Sequence, residues 1–359
     1  MNYLDLFAGI GGFALAVQRA GIKIDKHYYS EVDKYAQWIY RKQFPGAVRL
    51  GDIRKIGNEH GKIDLFSGGF PCQSFSIAGN RGGFEDTRGT LFFEIERLAR
   101  FYKPSYMVLE NVKGLFSHDG GNTIRIILDK LRGLDYSVHL LLLNTLDFGI
   151  PQNRERCFFI CTLAGKRQPE ISGIRSHKAE TIKLDELTTG QSQGYRVYDP
   201  EGCSSTLAGE AGGVGAKTGL YTVPVLSPDR GEKRQNGRRF KENGEPSFTL
   251  TSQDRHGVCF VENQRSEIRK MSVSPSLQAC SSGRVGQGVP VVNDTIIRRL
   301  TPTECERLQD YPDDWTKYGA ADNSIRIEIS DSQRYKTCGN SITVRPAELI
   351  MSAIKEVYK

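Results

Sequence analysis

Cys72 stands in the stretch Gly68-Gly69-Phe70-Pro71-Cys72-Gln73-Ser74-Phe75-Ser76, after the apolar run Ile63-Asp64-Leu65-Phe66 and before Ile77-Ala78-Gly79-Asn80-Arg81-Gly82-Gly83. The apolar run reads as a buried strand. The glycines that follow exclude a regular element. Cys72 is therefore displayed on a loop at a strand end, where open α/β sheets bind ligands. Pro71 fixes its own φ and biases Phe70 toward extended backbone, so the thiol is aimed by stiff chain. A cysteine displayed in this way is a candidate nucleophile; the alternative is a buried, inert thiol. A second apolar run, Tyr106-Met107-Val108-Leu109, ends in Glu110-Asn111-Val112 and puts a carboxylate on the same rim. A carboxylate there must be solvated, paired or used. Arg154 and Arg156, two positions apart at the entrance to a further strand, share a face and could point at one anion or one base edge.

These groups need elements to position them. Residues 3–7 read as a strand, residues 8–12 (Ala-Gly-Ile-Gly-Gly) as a glycine turn, and residues 13–20 as a helix. Strand, glycine turn and helix open a nucleotide-binding α/β unit, and glycine lets a ligand approach the backbone. The spacing is not the dinucleotide G-x-G-x-x-G, and no Walker lysine motif for a triphosphate is present. A strand at 26–30 is followed by Glu31, placed to hold a ribose diol, or else a solvated surface glutamate. Asp52 could accept from an adenine amino group, and Ile53 could cover the ring. Glycine, Glu and Asp at three strand ends together suggest an adenosyl group.

A helix runs from Leu91 to about residue 101, another covers 123–131, and strands cover 137–143 and 157–162. Cys157 and Cys161 share a strand face, which core packing explains better than metal binding. Beyond about residue 165 the text turns rich in Gly, Ser and Thr. Ser204-Ser205-Thr206-Leu207, Ser247-Phe248-Thr249-Leu250 and Ser274-Pro275-Ser276-Leu277 form a loose echo, each followed by a β-prone run at 221–225, 258–261 and 289–292. Their unequal spacing argues for curved hairpins with long loops rather than a solenoid. Between two of them lies a basic run, residues 230–241, whose Arg234, Arg238 and Arg239 suit phosphate contact, or else form a solvated loop. Helical text resumes at 298–309, with Thr303 as an expected cap and Glu306 three residues on. Residues 310–315 break that helix. Gly339-Asn340-Ser341 reads as a polar turn before a final helix at 347–357.

The 359 residues suffice for one large core or two smaller ones. No apolar run is long enough to span a bilayer, and the first residues lack a secretory pattern. The 8 cysteines, without short pairs, suggest neither a disulfide framework nor a zinc site, so a reducing cytoplasm is expected. A net charge of +7 permits a polyanionic partner.

One reaction needs all of these parts. Carbon 5 of cytosine is a poor nucleophile, but a thiolate added at C6 makes the ring enamine-like, so that C5 can attack a methyl sulfonium. A carboxyl group at N3 eases that addition by general acid catalysis. An arginine near O2 stabilises the charge that develops. The base must leave the duplex to be reached. Methylation of an exocyclic amine needs no such cysteine, and its usual Pro-Pro-aromatic motif is missing from the chain.

The chain resembles bacterial and phage DNA (cytosine-5) methyltransferases. The matching motifs are Asp5-Leu6-Phe7-Ala8-Gly9-Ile10-Gly11-Gly12-Phe13, Pro71-Cys72-Gln73-Ser74-Phe75-Ser76, Glu110-Asn111-Val112, Gln152-Asn153-Arg154-Glu155-Arg156 and Gly339-Asn340-Ser341. The likeness covers 1–162 and about 298–357. It implies that Cys72 attacks C6, that Glu110 engages N3 and the amino group, and that Arg156 contacts the flipped base with Arg154 beside it. It implies an S-adenosylmethionine pocket lined by Phe7, Gly9, Ile10, Gly12, Glu31, Val32, Asp52, Ile53, Leu91, Asn340 and Ser341, with S-adenosylhomocysteine as product and no metal. Ser76, Arg81 and the loop 77–89 would close over double-stranded DNA.

The expected architecture is α/β: a Rossmann-like S-adenosylmethionine-dependent methyltransferase domain with a second, smaller β-rich target-recognition domain. Residues 1–186 and 330–359 would form the first, 187–297 the second, and 298–329 a helical connection. A monomer is expected, since one cleft serves one duplex, and a cognate restriction endonuclease would act separately. Two rivals are a tRNA cytosine methyltransferase on the same fold, disfavoured by the long insert, and a catalytically silent DNA-binding relative.

Overall fold

The computed structural model describes residues 1–71, 91–171, 174, 300–321 and 325–358, together with the backbone of six short strands between 197 and 298. Its centre is a seven-stranded sheet: β1 (Asn2–Leu6), β2 (Lys26–Ser30), β3 (Val48–Gly51), β4 (Leu65–Gly69), β5 (Tyr106–Val112), β6 (Tyr136–Asn144) and β7 (Glu155–Leu163). The order across the sheet is β3-β2-β1-β4-β5-β7-β6. β1 to β5 run parallel, and β7 is antiparallel to both of its neighbours. The strand order reverses between β1 and β4. Ligands in such sheets bind at the carboxyl ends of the strands flanking that point.

The two-residue period of the strands divides the core. Tyr3, Leu65, Val108 and Phe158 face one hydrophobic cluster, while Leu4, Phe66, Leu109 and Phe159 face the other. Against the first face pack α1 (Gly12–Arg19), α2 (Lys34–Gln43) and the C-terminal helix α7 (Val344–Val357). On α7 the buried residues Ala347, Ile350, Met351 and Ile354 recur at helical spacing, which makes one apolar stripe. Against the second face pack α3 (Leu91–Tyr102) and α4 (Asn122–Arg132). Cys157 and Cys161 are both buried in this second cluster, the packing role expected for them.

In the insert, β8 (Val197–Tyr198), β9 (Leu220–Pro224), β12 (Val291–Val292) and β13 (Thr295–Arg298) form a four-stranded sheet, and β10 (Phe260–Val261) pairs with β11 (Ile268–Arg269). Among the described residues, each of the three β-prone runs contributes to a strand: 221–224, 260–261 and 291–292. β13 continues through Arg298, which pairs with Tyr221, one residue past the expected edge of the insert.

The connection that follows is only partly helical. It holds α5 (Pro302–Leu308) and an antiparallel pair, β14 (Tyr318–Ala320) and β15 (Arg326–Glu328), before α6 (Asp331–Asn340). The expected cap at Thr303 is corrected: Thr301 caps α5 in a capping box with Glu304. Two overlapping Thr-x-x-Glu frames exist, and Pro302 decides between them, because its fixed φ suits the first helical position. Glu306 is turned inward instead, fully buried against Arg334 of α6 at 3.1 Å. The expected turn at 339–341 is also corrected. Gly339 and Asn340 are the last residues of α6, and Ser341 is its C-cap.

Candidate active site

β1 delivers the chain into a tight loop in which Phe7 (φ 52), Gly9 (φ 53) and Gly11 (φ 90) are left-handed. A non-glycine residue in that region is strained, and such strain collects at functional sites. Around Gly9 there is open space: a side chain there would meet nothing nearer than the Phe7 carbonyl at 4.0 Å. Glu31, at the tip of β2, accepts from Gly9 N through one oxygen and from Val32 N and Asp33 N through the other, each at 2.7 Å. Burial pushes its carboxyl above the ordinary value, against the pull of those three N–H groups. Beside it the Val32 side chain is 69% exposed. An apolar side chain left open next to an oriented carboxylate and an uncrowded glycine loop fits a ribose and its base.

Asp52 and Ile53 follow β3. Ile53 is buried, and its carbonyl accepts from Arg97 of α3 at 3.0 Å. Asp52 caps a short turn through Arg54 N and forms an ion pair with the Arg54 guanidinium at 2.6 Å. Leu91 opens α3 and packs on the second core cluster. Asn340 is exposed at the end of α6, while Ser341 is buried and its hydroxyl bonds Tyr311.

The second half of the site lies where β4 and β5 end and the antiparallel β7 begins. Gly69 of β4 is in register with Glu110 of β5, and Val112 with Arg156 of β7. A side chain at Gly69 would come within 3.0 Å of the Glu110 carboxylate and crowd it. Arg156 Nε stands 3.0 Å from Glu110 Oε1. Burial raises the Glu110 carboxyl above its ordinary value, while Arg156 first and Arg154 second pull it down. Asn111 donates to the Phe70 carbonyl at 2.8 Å and accepts from Val112 N. Its amide thus ties the end of β5 to the residue before Pro71, and so to the segment that leads into Cys72.

Arg154 and Arg156 are both drawn to Glu110, but they do different work. Arg154 is 2% exposed and donates to the carbonyls of Ser341 at 2.5 Å and Gly339 at 3.3 Å. Burial and the neighbouring Arg156 charge push its guanidinium down to about 9. The buried thiol of Cys157, beneath the same rim, is pushed up to about 12 by burial, which favours its thiol form.

Cys72, Ser76, Arg81 and the loop 77–89 lie outside the described residues, as do Arg234, Arg238 and Arg239. The structure brings Phe7, Gly9, Ile10, Gly12 and Glu31 together at the β1–β2 tips, and Glu110, Arg154 and Arg156 together at the β5–β7 tips. Asn111 carries no sequence signal as an orienting group, and Tyr311 and Trp315, which touch the glycine loop, carry a weak one. The only sequence signal for the last two was an aromatic pair inside a segment that reads as a helix break.

An open sheet with one reversed strand, a glycine loop and an acidic residue at the second strand tip define a Rossmann-like nucleotide-binding domain. Its fold is similar to that of the Dnmt2 methyltransferase of S. pombe, with a TM-score of 0.58 at 17% identity over 100% of both chains. It is likewise similar to a putative DNA modification methyltransferase from an E. coli prophage, with a TM-score of 0.55 at 19% identity over 99% of both chains. In sequence the chain is 31% identical to the orphan methyltransferase M.SPRI of Bacillus phage SPR, across 100% of this chain and 98% of the phage protein. It is also 31% identical to the type II methyltransferase M.HhaI of Haemophilus parahaemolyticus, across 98% and 93%. Residues 1–356 match the C-5 cytosine-specific DNA methylase family, and the chain belongs to it. It is a DNA cytosine-5 methyltransferase.

Proposed function

We propose that the enzyme methylates C5 of a cytosine flipped out of duplex DNA, with Cys72 as the nucleophile that adds to C6. The observation that carries this reading is the Glu110–Arg156 pair, set in register with the end of the strand that leads into Cys72. A buried carboxyl with a raised pKa can stay protonated long enough to give its proton to N3 as the thiolate adds. Arg156 holds that carboxyl in place and offers a cation to the ring oxygen as charge builds there. Asn111 fixes Phe70, and through it the approach of the thiol. Arg154, buried against Ser341 and Gly339, joins the base-binding rim to the C-terminal part of the cofactor pocket.

Phe7, Gly9, Ile10, Gly12, Glu31, Val32, Ile53, Leu91, Asn340 and Ser341 would hold S-adenosylmethionine. Asp52 would shape the adenine end by fixing its turn. When bound, S-adenosylmethionine supplies an electrophilic methyl group and leaves as S-adenosylhomocysteine. Glu31, oriented by three backbone N–H groups, keeps one acceptor site, on Oε2, for a ribose hydroxyl. The four-stranded sheet of the insert, with Arg234, Arg238 and Arg239, would read the target site. The chemistry of the thiol, carboxyl and guanidinium groups calls for no metal.

The test is Cys72→Ala assayed on duplex DNA with labelled cofactor. Methyl transfer vanishes while cofactor binding persists. Production of 5-methylcytosine by this variant would sink the mechanism, and methylation of tRNA rather than DNA by the wild type would move the substrate assignment.

A further inference from the structure

The back of the glycine loop is held by a segment distant in sequence. Trp315, 8% exposed, donates its indole N–H to the Ile10 carbonyl at 2.9 Å. Its own carbonyl accepts from Gln43 of α2 at 2.7 Å. The next residue, Thr316, donates its N–H at 2.8 Å to Glu306, whose carboxylate is fully buried against Arg334. Tyr311, stacked at a tilt 5.4 Å from Trp315, bonds the Ser341 hydroxyl. Its hydroxyl also fills the place of a Gly12 side chain, which would come within 2.5 Å of it. One rigid segment thus touches both halves of the pocket: the glycine loop through Ile10 and Gly12, and the end of α6 through Ser341.

We propose that Trp315 is a positioning residue for the cofactor, with Tyr311 as its second contact, presetting the glycine loop in its binding shape. The loop contains three left-handed positions, one of them the non-glycine Phe7, so an outside hold favours one conformation. The indole N–H supplies that hold from a side chain that is anchored through its own backbone. Its contacts with the Ile10 carbonyl, Gln43 and Tyr311 make Trp315 a support of the loop rather than a ligand of the reacting groups named above. This inference rests on the reading that the loop binds S-adenosylmethionine.

The experiment compares wild type, Trp315→Phe, Tyr311→Phe and Glu31→Ala in the full chain. It measures S-adenosylhomocysteine affinity by calorimetry without DNA, hydrogen exchange over residues 7–12, melting temperature, and KM against kcat. Trp315→Phe keeps an aromatic ring in place but removes the donor. Its affinity falls about tenfold, the scale of one buried hydrogen bond, with KM for S-adenosylmethionine rising far more than kcat falls. Exchange over 7–12 speeds up in step. Tyr311→Phe acts in the same direction and serves if Trp315→Phe does not fold. If both folded variants bind as tightly as wild type while Glu31→Ala binds weakly, the positioning role is wrong and the pocket stands. A lower melting temperature with unchanged affinity and exchange also overturns it. If Glu31→Ala binds as wild type, the pocket reading itself fails.

Discussion

Arg156 reaches from β7 across to β5 and places its Nε 3.0 Å from Glu110 Oε1, with both side chains largely buried. Two neighbouring arginines compete for this one carboxylate, yet burial still leaves its pKa raised. Burial thus favours the protonated form of Glu110, and the two cations favour its anion. Glu110→Gln keeps the shape and removes the proton. We expect methyl transfer to fall by about 10²–10⁴-fold, in line with general acid catalysis, with S-adenosylhomocysteine binding unchanged. Single-turnover methylation with each variant checks this.

The same pair sets a pH dependence. The acid works while Glu110 is protonated, so the alkaline limb of the single-turnover rate reports its pKa in the folded enzyme. Arg156 is the largest influence pulling that pKa down. Arg156→Gln should lower the rate and also move the alkaline limb to higher pH. A limb that stays in place would mean that Glu110 does not titrate in the rate.

Asn111 spans from β5 to the Phe70 carbonyl. Asn111→Ala leaves that buried carbonyl without its donor, a cost of about 1–3 kcal/mol in stability. Because Phe70 precedes Pro71 and Cys72, kcat should fall while cofactor affinity holds. Equilibrium unfolding and steady-state kinetics on the same preparation separate the two effects.

Arg154 binds two carbonyls at the end of α6 while buried. Arg154→Met should cost about 3–5 kcal/mol, since it strips charged donors from buried acceptors and leaves Glu110 with one cation fewer. Arg154→Lys should recover part of this loss but not the two-point hold. Denaturant titration gives the measurement.

Asp5 is fully buried on β1, bonded by Ser67 and Tyr40, and burial pushes its carboxyl up to about 7. A carboxyl raised in the folded state favours folding below its unfolded pKa, and that contribution is lost as pH rises through about 7. Wild type should therefore lose stability on the order of a few kcal/mol between acidic and neutral pH from this group alone. Asp5→Asn should flatten that decline, as read from melting temperatures across the range.

Much of this site was legible because strand ends carry it. Runs ending in Gly-Gly-Phe-Pro-Cys, Glu-Asn-Val and Ser-Glu-Val mark strand ends, although β5 carries its pairing on through Glu110, Asn111 and Val112. β2 falls on its expected residues, β1 is shifted back by one, β5 runs three residues further and β7 extends beyond both expected ends, while α1 begins one residue before its expected start. Capping was less legible, since Thr301 and Thr303 offered equal frames and only Pro302 distinguished them. Gly339-Asn340 looked like a turn because glycine is costly inside a helix, but here it ends one. Trp315 could not be read at all: its bond to Ile10 joins residues 305 apart in sequence, and no local pattern encodes such a contact. The two roles of Arg154 and Arg156 were equally hidden, because spacing gives a shared face but not which of the two faces buried carbonyls.

The most direct test of the covalent mechanism is trapping. Duplex DNA carrying 5-fluorocytosine at the target is incubated with enzyme and S-adenosylmethionine, and the products are examined by intact mass and peptide mapping. The mechanism predicts a stable protein–DNA adduct through Cys72 that forms only with cofactor present and is lost in Cys72→Ala. Methylation of ordinary substrate by an enzyme that forms no such adduct, or an adduct through another residue, would contradict it.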